Sequence, residues 1–166
     1  LGPAPYIGVT WRGGTPPEEQ NAVMSWMLYK EIPLLALADA MREVPGTLIA
    51  VQRKPVTGEI DRLSELMQRP VHDFSDANEQ LEDMLALLTL LDDYVGVSNT
   101  NMHLRVALGK FARVLVPCPP EWRWMVCGNE SPWFPGFAVY RQTTAGDWNP
   151  ALSRLSGELK AAHTHS

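Results

Sequence analysis

A run of small polar residues, Ser98-Asn99-Thr100-Asn101-Met102-His103, follows a short apolar stretch and precedes a helical pattern. The first N–H groups of a helix have no intrahelical acceptor and lie at the positive end of the helix dipole. Such a helix start favours an anion such as a diphosphate, and His103 falls in the first turn, within reach of a phosphate oxygen. Asn and Thr are also ordinary helix-capping residues, and that interpretation stays open.

A second polar run, Thr10-Trp11-Arg12-Gly13-Gly14-Thr15, follows the first apolar stretch of the chain. Its two glycines allow the backbone to approach a ligand closely, and the guanidinium of Arg12 has donors suited to phosphate oxygens. The sequence contains neither G-x-G-x-x-G nor G-x-x-x-x-G-K-[ST], which argues against a dinucleotide site and a nucleoside-triphosphate P-loop. An ordinary flexible loop remains the alternative.

Two further turns carry groups that could contact a nucleotide. Gln52-Arg53-Lys54 brings basic side chains, and Asp73-Phe74-Ser75 offers hydrogen-bonding groups and an aromatic face to a base or ribose. The competing interpretations are a solvated basic loop and a Phe74 side chain that packs in the core. We expect all four turns to lie at one edge of a sheet, provided that the strands before them are parallel.

The elements that must position these turns alternate between short apolar runs and helical patterns. The predicted strands are Tyr6–Val9, Thr47–Val51, Pro70–His72, Tyr94–Val97, Val114–Val116 and Ala138–Tyr140. The predicted helices are Glu31–Arg42, Glu59–Met67, a helix through Leu88 that starts in the capping box Asp76–Glu79, Asn101–Leu108, and a last helix with Asn149 as cap and Pro150 in its first turn. This alternation predicts an α/β fold, a doubly wound Rossmann-like sheet of about six mainly parallel strands with helices on both faces. Such sheets bind ligands at the carboxyl ends of their strands, where the strand order reverses.

Composition narrows the class of protein. The chain has 166 residues, a length typical of one domain. It has 14 Lys and Arg against 19 Asp and Glu, and the resulting net charge of −5 argues against nucleic-acid binding. No apolar run approaches the roughly 20 residues that span a bilayer. The two cysteines, Cys118 and Cys127, cannot form a disulfide framework. They predict buried free thiols in a cytoplasmic protein, with a bridge between them as the alternative. A metal site built from His72, Asp73 and Asp76 is a weaker interpretation than a strand end followed by a helix cap, so neither a metal nor a cofactor is predicted.

Several motifs together carry a family resemblance. They are Val95-Gly96-Val97, His103, Ala107-Leu108-Gly109-Lys110, Pro120-Glu121-Trp122-Arg123-Trp124 and Ser131-Pro132-Trp133-Phe134-Pro135. The opening Gly8 to Gly13, Lys30 to Leu34 and Gln52 to Lys54 also fit. The chain resembles the carboxyl-terminal half of GT-B glycosyltransferases that are linked to tetratricopeptide repeats and related to heptosyltransferases and O-linked N-acetylglucosamine transferases. The resemblance covers nearly the whole chain, and the tryptophan-rich stretch is its most specific part.

The resemblance implies that residues 1–166 form a single Rossmann-like domain that binds a nucleotide-diphosphate sugar in a metal-independent transfer. We expect the acceptor-binding half to be absent from this chain, so that an amino-terminal lobe or repeat region of the same protein is the partner and carries the general base. By position, the diphosphate would lie against Ser98, Asn99, Thr100, Asn101 and His103 and face Thr10 and Arg12, with Lys30 and Lys54 as further cations and Asp73 and Phe74 near the base. The Asp-Thr of the family aligns with Ser98-Asn99, so the usual carboxylate is missing, which leaves open an inactive member or one of altered specificity.

A second hypothesis assigns the chain to a different class. The segment 117–137 contains Trp122, Trp124, Trp133 and Phe134, and aromatic side chains dominate the energetics of protein interfaces. The sequence is therefore also compatible with a non-catalytic Rossmann-like module for protein association. A segment that packs as a lid on the edge of the sheet is the competing interpretation of the same residues.

Overall fold

The computed structural model of the chain describes residues 1–15 and 29–164, which form eight β-strands and five α-helices. The strands are β1 (Tyr6–Val9), β2 (Arg12–Gly13), β3 (Lys30–Glu31), β4 (Thr47–Ala50), β5 (Val71–Asp73), β6 (Asp93–Val97), β7 (Arg113–Val116) and β8 (Ala138–Arg141). The helices are α1 (Leu34–Met41), α2 (Glu59–Met67), α3 (Leu81–Leu90), α4 (Thr100–Ala107) and α5 (Asn149–His163).

Six of the strands form one parallel sheet in the order β5-β4-β1-β6-β7-β8. From β1 the chain winds outward through β4 and β5, then returns to the other side of β1 and continues through β6, β7 and β8. The strand order therefore reverses at β1, between its neighbours β4 and β6. The doubly wound Rossmann-like fold expected from the alternation of elements is confirmed.

Two apolar cores lie on the two faces of the sheet. Leu37 of α1, Leu63 of α2 and Leu155 of α5 belong to one buried cluster. Met84 of α3 and Met102 of α4 belong to the other, together with aromatic residues from the segment 117–137. Because helices cover both faces, the central strand β6 is buried along its whole length, as its continuous apolar character predicts.

Some local predictions are wrong because tertiary hydrogen bonds compete with helix signals. The first helix begins at Leu34 instead of Glu31, since Lys30–Glu31 pairs with Arg12–Gly13 as the two-stranded ribbon β2-β3. The capping box at Asp76–Glu79 does not form. Ser75–Glu79 makes a separate 3-10 turn in which Asn78 donates to the carbonyls of Ser75 and Val51, and α3 starts only at Leu81.

The predictions for the last helix and for the cysteines hold only in part. Pro150 lies in the first turn of α5 as predicted, but the N-cap is Trp148, and the carboxylate of Asp147 accepts from the N–H of Asn149. Cys118 and Cys127 are free as predicted but exposed instead of buried, because both lie in the irregular segment outside the sheet. In the part of the chain that is described, no helix is both long and apolar enough to cross a membrane.

Candidate functional site

A cleft of about 940 Å³ lies at the carboxyl edge of the sheet, where the strand order reverses. Its walls come from the loop after β1, from residues 29–31, from the loop after β4 with the start of α2, and from Ser98–Asn101 at the start of α4. We call this the switch-point cleft. Its volume falls within the range of roughly 300–1,000 Å³ that small-molecule pockets occupy.

The switch-point cleft is electropositive although the chain as a whole is acidic. Among the residues that the structure describes, five cationic side chains line it, against the carboxylates of Glu31 and Glu59: Arg12, Lys30, Arg53, Lys54 and Arg62. The side chains of Arg53 and Lys54 are exposed and have no ion-pair partner among the described residues. A positive concave surface on a negative protein concentrates anionic ligands.

Most of the residues singled out from the sequence meet in this cleft. Those that line it are Thr10, Arg12, Lys30, Lys54, Ser98, Asn99, Thr100 and Asn101. Asp73, Phe74 and His103 do not. The expectation that the turns after β1, β4 and β6 share one edge is confirmed by the parallel sheet, since the carboxyl ends of all its strands lie at that edge.

Arg12 is not a free cation, contrary to what its position in a glycine loop suggested. Its guanidinium forms a bidentate ion pair with Glu59, one arm of which is 2.7 Å long, and also donates to the carbonyl of Lys54 at 3.2 Å. Glu59 further accepts from the indole N–H of Trp11 at 2.9 Å and from the backbone N–H of Val56 at 2.9 Å. Glu59 therefore clamps the loop after β1 to the loop after β4.

The environment of Glu59 acts on its pKa in two directions. Partial burial tends to raise the pKa, but the hydrogen bonds from Arg12, Trp11 and Val56 and the charge of Arg12 outweigh it. The pKa of Glu59 consequently lies below its ordinary value, and the clamp is an ionised carboxylate at neutral pH.

A second clamp involves Gln52, which lies two residues after the end of β4. Its Oε1 accepts from the backbone N–H groups of Trp11 and Arg12 at 3.0 and 3.1 Å, and its Nε2 donates to the carbonyl of Arg53. Buried amide side chains that are satisfied in this way hold a loop in one conformation. Gln52 was grouped only with the basic residues of its turn, and its burial is visible only in the folded chain.

The start of α4 is joined to the loop after β1 by a hydroxyl network. Asn99 is the N-cap of α4, and its Oδ1 accepts from the N–H of Met102 at 3.3 Å. Its Nδ2 donates to Thr10 Oγ1 at 2.9 Å, and the hydroxyl of Tyr94 lies 3.0 Å from the same oxygen. Among the described residues, the N–H groups of Thr100 and Asn101 find no acceptor. Within the described part of the chain, these two main-chain donors at the positive end of α4 are thus available to a ligand in the cleft.

Lys30 connects the switch-point cleft to the tryptophan-rich segment. It is buried, and its Nζ donates to Glu121 Oε1 at 3.1 Å. Burial tends to raise the pKa of Glu121, but a hydrogen bond from Ser98 and the charge and hydrogen bond of Lys30 outweigh it, so the pKa lies below its ordinary value. Glu121 was noted only as part of a motif, and its pairing with Lys30 follows from the fold.

His103 lies beside the cleft instead of lining it. Its ring packs edge-on against Phe134, with 5.0 Å between the ring centroids. Partial burial and the positive charge of Arg123 lower the pKa of His103, so the imidazole is neutral at pH 7. A neutral imidazole donates one hydrogen bond but supplies no charge to a phosphate.

The turn after β5 packs in the fold and does not line the cleft. Phe74 is half-buried and packs against the core cluster that contains Met84 and Met102. The carboxylate of Asp73 accepts from the backbone N–H of Ser75 at 2.8 Å. The family resemblance implies a base-binding role for Asp73 and Phe74 by their position in the sequence. Neither residue lines the cleft, which on this side reaches Asn78, so the structure gives that role no support.

The segment 117–137 divides into a packed part and an exposed part. Trp124 and Phe134 are buried in the second core, with ring centroids 4.4 Å apart. Trp122 and Trp133 are 66% and 58% exposed and meet edge to face at 5.1 Å. The lid interpretation holds for the first pair and not for the second.

In residues 1–15 and 29–164, no group of three or more His, Cys, Asp or Glu side chains is arranged to hold a metal ion. The residues that join the walls of the cleft through side-chain hydrogen bonds or ion pairs are Glu59, Gln52, Tyr94 and Glu121, none of which was predicted as a site residue. A scan against models of protein families finds no match for this chain, and a search of the curated proteins finds none either.

Proposed function

We propose that this chain is the donor-binding lobe of a metal-independent glycosyltransferase and binds a nucleotide-diphosphate sugar in the switch-point cleft. The observation that carries the proposal is the start of α4, where the N–H groups of Thr100 and Asn101 have no acceptor among the described residues inside an electropositive cleft. Helix starts of this kind bind phosphate groups, and doubly wound sheets bind nucleotides at this edge. The family resemblance described above supplies the sugar part of the proposal.

The chemistry of sugar transfer suits these groups. Breaking the bond between a sugar and a diphosphate builds negative charge on the leaving oxygen. Preorganised N–H donors and fixed cations stabilise such charge without having to reorganise during the reaction. In this proposal Thr100 and Asn101 supply the donors, and the exposed side chains of Arg53 and Lys54 supply positive charge. Three parts of this proposal stay predictions: the general base that activates the acceptor, a two-lobed enzyme that contains this chain, and a cytoplasmic location.

Isothermal titration calorimetry of the folded chain with UDP, GDP and ADP tests the proposal. We expect at least one of these diphosphates to bind, and we expect Lys54→Gln to weaken that binding about tenfold, which corresponds to one charge-assisted contact of about 1.4 kcal/mol. Lys110→Gln is the matched control, because it removes the same charge just before β7, at the opposite edge of the sheet.

Two outcomes contradict the proposal. One is the absence of heat with all three diphosphates at millimolar concentration, and the other is an equal loss of affinity in Lys54→Gln and Lys110→Gln. The variants Arg12→Ala and His103→Ala refine the site. A loss in His103→Ala extends the phosphate contacts toward Phe134, whereas unchanged affinity confines them to residues that line the cleft.

The exposed tryptophans favour a second candidate function, a non-catalytic module for protein association. Trp122, Trp133 and Val126 are large apolar side chains that remain in contact with solvent. Exposed apolar clusters of this kind mark interaction surfaces in many proteins. A chain that binds no diphosphate, but whose self-association or partner binding is abolished by Trp122→Ser together with Trp133→Ser, would favour this candidate over the first.

A further inference from the structure

We infer that Tyr94 is a positioning residue for the diphosphate site, an inference that rests on the proposed function. Tyr94 belongs to the central strand β6, and its side chain is completely buried. A tyrosine at such a position needs a partner for its hydroxyl, since an unpaired buried hydroxyl costs free energy. The partners it finds are the residues that orient the start of α4.

The hydroxyl of Tyr94 lies at the junction of two loops that are far apart in sequence. It is 3.0 Å from Thr10 Oγ1, at the end of β1, and 3.2 Å from Asn99 Nδ2, at the start of α4. Burial raises the pKa of Tyr94, so the hydroxyl is protonated at neutral pH and can donate a hydrogen bond.

This junction decides how Asn99 uses its amide. Its Nδ2 donates to Thr10 and Tyr94, and its Oδ1 accepts from the N–H of Met102 and lies 3.3 Å from the hydroxyl of Tyr94. The N–H of Met102 bonds this oxygen and the carbonyl of Asn99, whereas the N–H groups of Thr100 and Asn101 have no acceptor among the described residues. Without the hydroxyl of Tyr94, the amide of Asn99 loses one of its two anchors and samples other rotamers, some of which compete for those N–H groups.

The close packing at this junction supports the same conclusion. Gly96 lies two residues after Tyr94, and a Cβ atom added there would collide with the hydroxyl of Thr10. Thr10 is therefore pressed against the backbone of β6, and its N–H donates to the carbonyl of Val95 at 3.0 Å. Preorganised donors bind a ligand more tightly because fewer conformations are lost on binding. Tyr94 contributes to affinity by this route, without touching the ligand.

Tyr94→Phe tests the inference, because phenylalanine keeps the ring in the core and removes only the hydroxyl. We expect Tyr94→Phe to bind the diphosphate about tenfold more weakly than the unmodified chain. We also expect faster hydrogen exchange at the N–H of Met102, whose cap becomes mobile. Tyr6→Phe is the matched control: it removes a hydroxyl that donates to the carbonyl of Gly2, far from the cleft, and is expected to change neither quantity.

The two measurements separate the inference from the function on which it rests. If the unmodified chain binds no diphosphate, the proposed function fails, while a faster Met102 exchange in Tyr94→Phe still supports the control of the cap by Tyr94. If the chain binds and Tyr94→Phe matches it in affinity and in Met102 exchange, the inference is overturned and the proposed function stands. A second variant, Thr10→Val, removes the hydroxyl that both Tyr94 and Asn99 contact. If the double variant of Thr10→Val and Tyr94→Phe binds the diphosphate no more weakly than either single variant, both residues act through Asn99.

Discussion

The ion pair between Arg12 and Glu59 gives the sharpest test of how the switch-point cleft is held together. The substitution Glu59→Gln keeps the shape of the side chain but replaces one carboxylate oxygen by an NH2 group. That group is a hydrogen-bond donor and faces another donor, the guanidinium of Arg12. The substitution thereby removes the bidentate pair and weakens the contacts with Trp11 and Val56. The side chains of Arg12 and Glu59 are only 12% and 10% exposed, so water replaces these contacts poorly.

The expected loss of stability follows from this geometry. Breaking a fully buried ion pair costs about 3–5 kcal/mol, because a charge is left without a partner. The cleft is open to solvent on one side, so we expect a smaller loss, about 2 kcal/mol. With a urea m-value of about 2 kcal/mol/M, the unfolding midpoint should fall by about 1 M at unchanged m.

Glu65→Gln is the control on the same helix. Glu65 pairs with Arg62, but these side chains are 66% and 61% exposed, and exposed pairs of this kind contribute less than about 0.5 kcal/mol. Equal midpoints for Glu59→Gln and Glu65→Gln would refute the reasoning, because they would show that the clamp adds nothing beyond a surface pair.

The pH dependence of the same difference provides a second check. Because the pKa of Glu59 in the folded chain lies below its ordinary value of 4.5, its contribution is fully present above that value and is lost as the pH falls through the folded pKa. The gap in unfolding free energy between the unmodified chain and Glu59→Gln should therefore be constant near neutrality and shrink under acid conditions. A gap that widens on acidification would contradict the assignment of the ionised carboxylate as the clamp.

Three further predictions concern other parts of the fold. Gly96→Ala should destabilise the chain by about 2–3 kcal/mol, because the added Cβ collides with the hydroxyl of Thr10. Gly157→Ala in α5, where an added Cβ meets nothing within 4 Å, should stabilise the chain by about 0.5–1 kcal/mol. Thermal unfolding of both variants checks this, and similar midpoints would count against it. Asp93→Asn should lower the free energy of unfolding in urea by about 2–3 kcal/mol, because the buried guanidinium of Arg113 loses its carboxylate partner at 2.8 Å. An unchanged midpoint would show that Tyr140 and Glu158 are sufficient partners for that guanidinium. Cys118 and Cys127 should both react with a thiol reagent in the folded chain, and a count of fewer than two thiols before unfolding would contradict their exposure.

The amino-acid sequence by itself determined the order and kind of the main elements. Apolar runs such as those at Tyr6–Val9 and Tyr94–Val97 alternate with amphipathic patterns such as the one in Glu59–Met67, and that alternation leaves a parallel doubly wound sheet as the consistent arrangement. Since the carboxyl ends of parallel strands share one edge, the grouping of Thr10, Lys54 and Asn99 also followed from the sequence. Hydrophobic periodicity is a local property of the sequence, so it can be read from a single chain.

Only the tertiary structure decided which polar side chains meet. Arg12 pairs with Glu59, 47 residues away, Tyr94 meets Thr10 across 84 residues, and Lys30 meets Glu121 across 91 residues. The failed capping box at Asp76–Glu79 has the same origin, because Asn78 donates to the carbonyl of Val51, just after β4. A side chain with several possible partners takes the one that the fold brings within about 3 Å, and that distance depends on where distant loops finally lie.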